Sequence, residues 1–140
     1  MPDLSSESFH ASSVAIDGKA VLIAGRSGSG KSDLALRLAD RGAALISDDY
    51  TVLTRLEGRL IASAPETIAG KIEARGVGVV DWPAGKPAPV ALMIVLGEPV
   101  PRMPERDNIR VLAGVDVPVF ALAGLEPSAP IKVELLVRQL

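Results

Sequence analysis

The sequence predicts an α/β fold in one domain spanning residues 1–140, with a mixed, strand-rich sheet and few helices. Three observations predict it. Helical periodicity is confined to two stretches, one from Lys31 to Arg41 and one near the C-terminus. Apolar, β-prone runs punctuated by Asp17-Gly18, Glu57-Gly58 and proline clusters occupy most of the rest. Between one such run and the first helical stretch lies a Gly/Ser-rich loop, Gly25 to Ser32. At 140 residues the chain is long enough to bury a proper core. With aromatics at only 3%, that core must be built from Val, Leu, Ile and Ala.

The elements follow in order. "SFHASSVAIDGKAVLIAG" reads as two strands around a turn at Asp17-Gly18, with His10 on the first. The second, Lys19 to Ala24, is nearly all apolar, as a strand buried on both faces requires. A helix carrying Leu34, Ala35, Leu36, Leu38 and Ala39 follows, stopped by Arg41-Gly42. "AALIS" is another buried strand, ending at Asp48-Asp49. "YTVLTRLEGRLIASAP" is a hairpin turning at Glu57-Gly58. "GKIEARGVGVVDW" is strand-like but broken by Gly76 and Gly78, and "APVALMIVLG" is a further apolar strand. After the Pro-rich loop "EPVPRMPERDN" come two strand-like runs, "IRVLAG" and "VPVFALAG". "APIKVELLVRQL" is a short amphipathic helix, apolar at Ile131, Leu135 and Leu136, with Lys132 and Arg138 outside.

Composition excludes several function classes. With 15 Lys+Arg against 17 Asp+Glu, no electrostatic footprint for nucleic acid or an anionic membrane is expected. The absence of cysteine removes disulfides, thiolate catalysis and Cys-based zinc sites, and one histidine removes multi-His metal sites. The polar N-terminus has no signal-peptide pattern, and no apolar run is long enough to span a bilayer. The expected compartment is the cytoplasm, where ATP and GTP are found.

Gly25-Arg26-Ser27-Gly28-Ser29-Gly30-Lys31-Ser32 fits the phosphate-binding pattern G-x-x-x-x-G-K-[ST] completely, between a strand and a helix. The glycines let backbone N–H groups face phosphate oxygens, and the helix N-terminus adds its positive end. Lys31 would reach the β- and γ-phosphates, and Ser32 would offer a hydroxyl to Mg²⁺. Asp48 and Asp49 end the next strand, a place from which an acid commonly meets the Mg²⁺–phosphate centre. Strand neighbours point oppositely, so one would serve the metal shell and the other accept a proton; a solvated turn is the plain alternative. Glu73 and Arg75 share a face if their segment is a strand, which suits Mg²⁺ and phosphate or simply a wet face. His10, Tyr50 and Trp82 leave packing, stacking and catalytic roles open.

Taken together, these residues resemble the catalytic domain of the HPr kinase/phosphorylase family. "GRSGSGKSDLALRLADRGAALISDD" is similar to its P-loop, helix and double-Asp segment, and "IEARGVGVVD" to its second signature, with Ala74 in the aliphatic place. His10 precedes Gly25 by fifteen residues, as in the family. The resemblance implies a P-loop kinase-like core that uses ATP and Mg²⁺ to phosphorylate a serine of HPr or a related phosphotransferase-system carrier. It implies Gly25 to Ser32 for ATP, and Ser32 and Glu73 for Mg²⁺, with Asp48 beside them. It further implies Asp49 as proton acceptor, and Lys31, His10 and Arg75 in the active site, with Arg102 as a further catalytic arginine for which Arg106 is a rival. A homo-oligomer, a hexamer in the family, is implied as well.

The chain departs from the family pattern in two places. Only the catalytic core is expected, in the short alphaproteobacterial form. The family's P-V-R-P-G-R loop, tied to the reverse reaction, is replaced by "VPVFALAGLEPSAP" with no arginine, so phosphorylase activity is expected to be small. Two rivals remain. A small-molecule kinase would need an arginine-rich lid, and none of that length is present. A nucleotide switch would need no base at Asp49, and the guanine-reading N-K-x-D is missing.

Overall fold

The computed structural model describes residues 5–140, so the first four residues of the polar N-terminal stretch lie outside it. The elements are β1 (Ser5–Phe9), β2 (Ser12–Ile16), β3 (Lys19–Ala24), α1 (Lys31–Asp40), β4 (Ala44–Ser47), β5 (Thr51–Leu56) and β6 (Arg59–Ser63). Then follow β7 (Lys71–Ala74), β8 (Gly78–Asp81), β9 (Ala88–Leu96), β10 (Ile109–Leu112), β11 (Val115–Leu122) and α2 (Ala129–Arg138). One large sheet runs β1-β5-β6-β9-β3-β2-β4, with β11 on β9 and β10 on β11, while β7 and β8 form a separate hairpin. β3, β9 and β11 are mutually parallel and the other pairings antiparallel, so the sheet is mixed, as expected.

β3 is buried on both faces because its residues alternate between two core layers. Val21 and Ile23 join a layer closed by Leu34 and Leu38 of α1 and Val133 and Val137 of α2. Ala20, Leu22 and Ala24 join a second layer with Leu53, Leu60 and Leu112. The turn at Asp17-Gly18 and that at Glu57-Gly58 have positive φ at both residues, the geometry that matches hairpin twist. No helix among the described residues is long and apolar enough to cross a membrane.

Three expectations are corrected. The single strand expected before Asp17-Gly18 is two strands, because the chain changes partners at His10-Ala11. β1 pairs with β5, while β2 pairs with β3 and β4. His10 therefore sits in the crossover rather than on a strand. The segment around Gly76 and Gly78 is a hairpin, so Glu73 lies on β7 but Arg75 lies in the turn. They do not share a strand face. In α2 the buried residues are Ala129, Pro130, Val133 and Val137, whereas Ile131 and Leu135 are nearly half exposed and Leu136 packs only at the core margin. Small and β-branched residues face the core where α2 meets α1 and β9. Arg41 Nε and Nη2 donate to Glu134 at 3.0 and 2.8 Å, tying the two helices and holding the Glu134 carboxyl below its usual range.

Candidate active site

The Gly25–Ser32 loop leaves β3 and enters α1 with Gly25, Gly28 and Gly30 all at positive φ. Gly25 admits no side chain at all. A Cβ there would lie 2.6 Å from Ser29 Oγ and 2.9 Å from the Leu96 carbonyl oxygen of β9. Lys31 is buried, and its Nζ donates to the Gly25 and Arg26 carbonyls at 3.0 and 3.1 Å, which places the ammonium inside the loop. Ser29 Oγ is buried without a hydrogen-bond partner among the described residues, a polar group left over inside the cradle. Arg26, Ser27 and Gly28 are exposed at its rim.

Asp48 and Asp49 follow β4 and have opposite environments. Asp48 is buried, and its Oδ1 accepts from Ser32 Oγ at 2.5 Å and from Ser12 Oγ at 3.0 Å. Its Oδ2 accepts the Glu73 backbone N–H at 2.9 Å. One carboxylate thus gathers α1, β2 and β7. Asp49 turns the other way, at φ 68°, with its N–H donated to Ser12 Oγ. Its side chain is 56% exposed and lies 3.0 Å from His10 Nε2, itself 43% exposed. The sheet explains this meeting. Phe9 pairs with Thr51 in one ladder and Ser13 with Ser47 in the other, so the crossover at His10 is set against residues 48–50. Ser13 Oγ and Thr51 Oγ1 lie 2.8 Å apart, and Thr51 Oγ1 donates to the Ala11 carbonyl at 2.9 Å.

The structure thus draws Lys31, Ser32, Asp48, Asp49, His10 and the backbone of Glu73 into one neighbourhood. The Glu73 side chain is exposed, and Arg75 is exposed at the hairpin tip. Arg102 stands on an exposed loop and lines a cavity of about 900 Å³ with Arg106 and α2, and no residue of the cradle lines that cavity. Arg106 donates to Gln139, while Arg102 has no hydrogen-bond or ion-pair partner among the described residues. Tyr50 stacks on the His10 ring, with centroids 5.0 Å apart. Trp82 packs at the margin of the core. Ser12 escaped sequence reasoning. Its signal was two buried hydroxyl residues, Ser12 and Ser13, in an otherwise apolar strand.

No cluster of three or more His, Asp or Glu among the described residues forms a metal cage. The donors present suit Mg²⁺ arriving on phosphate oxygens, since that ion keeps waters and takes only one or two protein oxygens. Ser32 fits such a role: its proton is committed to Asp48, which leaves its lone pairs for a cation.

Comparison with known proteins places this geometry. Residues 3–84 match the HPr Serine kinase C-terminal domain family. The chain is 43% identical over 76 residues to HPr kinase/phosphorylase of Clostridium tetani, covering 54% of this chain and 25% of that protein. It is 46% identical over 76 residues to the protein of the same name in Prosthecochloris aestuarii, covering 54% and 22%. The chain therefore spans about a quarter of the length of the curated relatives it matches. The solved structure of the Hpr(Ser) kinase/phosphatase from Coxiella burnetii superposes with a TM-score of 0.84 at 32% identity, over 95% of both chains.

Proposed function

The chain belongs to the HPr Serine kinase C-terminal domain family, and from that premise we propose that it transfers the γ-phosphoryl group of ATP to a serine of HPr or a closely related phosphocarrier. The observation that carries this reading is the openness of the Asp49–His10 pair. A small-molecule kinase encloses its acceptor, whereas here the candidate base lies at the surface, where a hydroxyl on another protein can reach it.

The loop N–H groups and Lys31 hold the triphosphate, Lys31 exchanging its two carbonyl partners for phosphate oxygens. Ser32 and Glu73 would hold Mg²⁺, with Asp48 orienting Ser32. Bound there, the ion supplies neutralisation of the charge developing on the β- and γ-phosphates. Asp49 Oδ accepts the serine proton as that oxygen attacks, and His10 fixes the carboxylate and shares the proton's charge. Positioning supplies most of the rate, since the protein forms no covalent bond to the group transferred.

The same reading includes a cytoplasmic setting and a homo-oligomer. It also includes little reverse activity, because Val117–Pro130 brings no cation. Offsetting the repulsion between a phosphate dianion and phosphoserine needs cations, arginine best of all. Pyrophosphate release from seryl-phosphorylated carrier and phosphate, at a rate matching forward transfer, would rule that last point out. The main test is incubation with γ-labelled ATP, Mg²⁺ and the phosphocarriers of the host, followed by mapping of the label. Label on a carrier serine is expected; transfer only to a small molecule, or none, refutes the reading.

A further inference from the structure

β3, β9 and β11 are parallel, so their C-terminal ends lie along one edge, with the cradle at the end of β3. On one flank, beyond β2, stands β4 with Asp48, toward which the Ser32 hydroxyl is turned. The other flank holds the ends of β9 and β11, and a nucleotide with its terminal phosphates at Lys31 and Ser32 can lay its nucleoside there. The loop Ala123–Ser128 waits there, held by three ties. A Cβ on Gly124 would lie 2.7 Å from Leu96 Cδ1, so the loop backbone rests directly on β9. Arg37 of α1 donates to the Glu126 carbonyl at 3.0 Å and also to the Gly124 carbonyl. Leu125 lies over the end of the cradle, its Cδ2 2.9 Å from where a Cβ of Gly30 would be. Although its surroundings are fixed in this way, Leu125 is 71% exposed. It is an apolar side chain held open at the lip of a phosphate site.

Several of the loop's polar groups are committed. Glu126 N–H donates to the Ala123 carbonyl, Ala129 N–H donates to the Glu126 carbonyl, and the Glu126 carboxylate pairs with Lys132 at 2.9 Å. The Leu125 side chain offers the face of a purine ring apolar contact and no hydrogen bond. We propose that Leu125 is the nucleobase platform of the nucleotide site, gripping the face of the purine ring while leaving its edge unread. This rests on the phosphate-cradle reading. A surface that offers packing but no hydrogen-bond partners separates ligands weakly, whereas edge-reading sites reject the wrong partner by orders of magnitude. ATP and GTP should therefore bind the chain within about threefold of each other.

Titration calorimetry of the whole chain with Mg²⁺ and, separately, ATP, GTP and inorganic tripolyphosphate tests this. Leu125→Ala removes an exposed side chain, so the fold is kept. It is expected to weaken ATP and GTP alike by about five- to tenfold, the scale of losing part of one apolar contact, and to leave tripolyphosphate unchanged. Unaltered ATP and GTP affinities, an equal loss for tripolyphosphate, or a wild-type preference between purines above about thirtyfold would each overturn the proposal. Lys31→Ala separates the two readings. If it abolishes tripolyphosphate binding, the cradle stands and the Leu125 result is decided on its own. If tripolyphosphate binding persists, the cradle reading falls and the platform with it.

Discussion

The phosphate cradle and the β7–β8 hairpin flank the same buried aspartate and are built on opposite terms. The cradle is fixed by close contacts: Gly25 against Leu96, Lys31 on two loop carbonyls, Ser32 on Asp48. The hairpin stands apart from the main sheet. It is held by Ile72 in the core, by the Glu73 N–H on Asp48, by the Trp82 N–H on Gly70, and by the exposed Lys71–Asp81 pair. Its Val77 and Val79 are exposed. The difference separates two tasks. Under the proposed function, holding a highly charged small ligand calls for groups set in advance, whereas meeting a carrier protein calls for accessible surface. Asp48 joins the two, so their separation can be probed by breaking each side in turn.

The largest effect is expected on the cradle side. Lys31→Ala should abolish transfer and most ATP affinity while circular dichroism stays native, because the ammonium's partners are loop carbonyls rather than core atoms. Unchanged ATP affinity by calorimetry would contradict the assignment. Next comes the shared residue. Asp48→Asn cannot satisfy three donors with one remaining carbonyl oxygen. It should cost about 1–3 kcal/mol in denaturant unfolding. It should also raise the Mg²⁺ needed for half-maximal activity about tenfold or more, the scale for a lost orienting partner.

On the hairpin side, Ile72→Ala should cost about 2–5 kcal/mol locally. Hydrogen exchange should quicken in β7 and β8 while α1 keeps its protection, and ATP affinity measured without Mg²⁺ should hold. Equal loss of protection in α1 would show that hairpin and cradle form one cooperative unit. The smallest effect lies far from both. Because Arg41 lowers the Glu134 carboxyl in the folded state, the unfolded chain binds more protons in acid. This contribution is present above the ordinary glutamate pKa, about 4.3, and disappears as pH falls through the depressed folded value. Glu134→Gln should lower Tm slightly at neutral pH, with the gap to wild type closing in acid. A gap that widened in acid would contradict the sign.

The cradle was legible because it is local. The strand, the loop with its three glycines and the helix stand consecutively, and each is specified by its own residues. Asp48 and Asp49 were legible as a pair pointing oppositely, and the family resemblance put Asp49 forward as the base, but the contacts that hold Asp48 were not legible. They depend on Ser12 from β2 and on the Glu73 backbone, both brought in by pairing across the sheet. The placement of His10 was hidden for the same reason. A break between β1 and β2 has no turn residue to mark it, since the chain merely changes partners there. The buried face of α2 was not legible because Ala129, Val133 and Val137 lie at the same helical spacing as Ile131 and Leu135, and the spacing alone does not say which face meets the core.

The most direct test of the divided site is Asp49→Asn, followed by Mg-ATP calorimetry and single-turnover transfer to the carrier serine. Asp49 is exposed and makes its side-chain contact with His10, so the cradle should not sense the change. ATP affinity within about twofold of wild type and transfer slowed by about 10²-fold or more are expected, the scale of losing a positioned general base. Near-normal transfer at saturating ATP would place the base elsewhere, and a parallel collapse of ATP affinity would show that the site is not divided in this way.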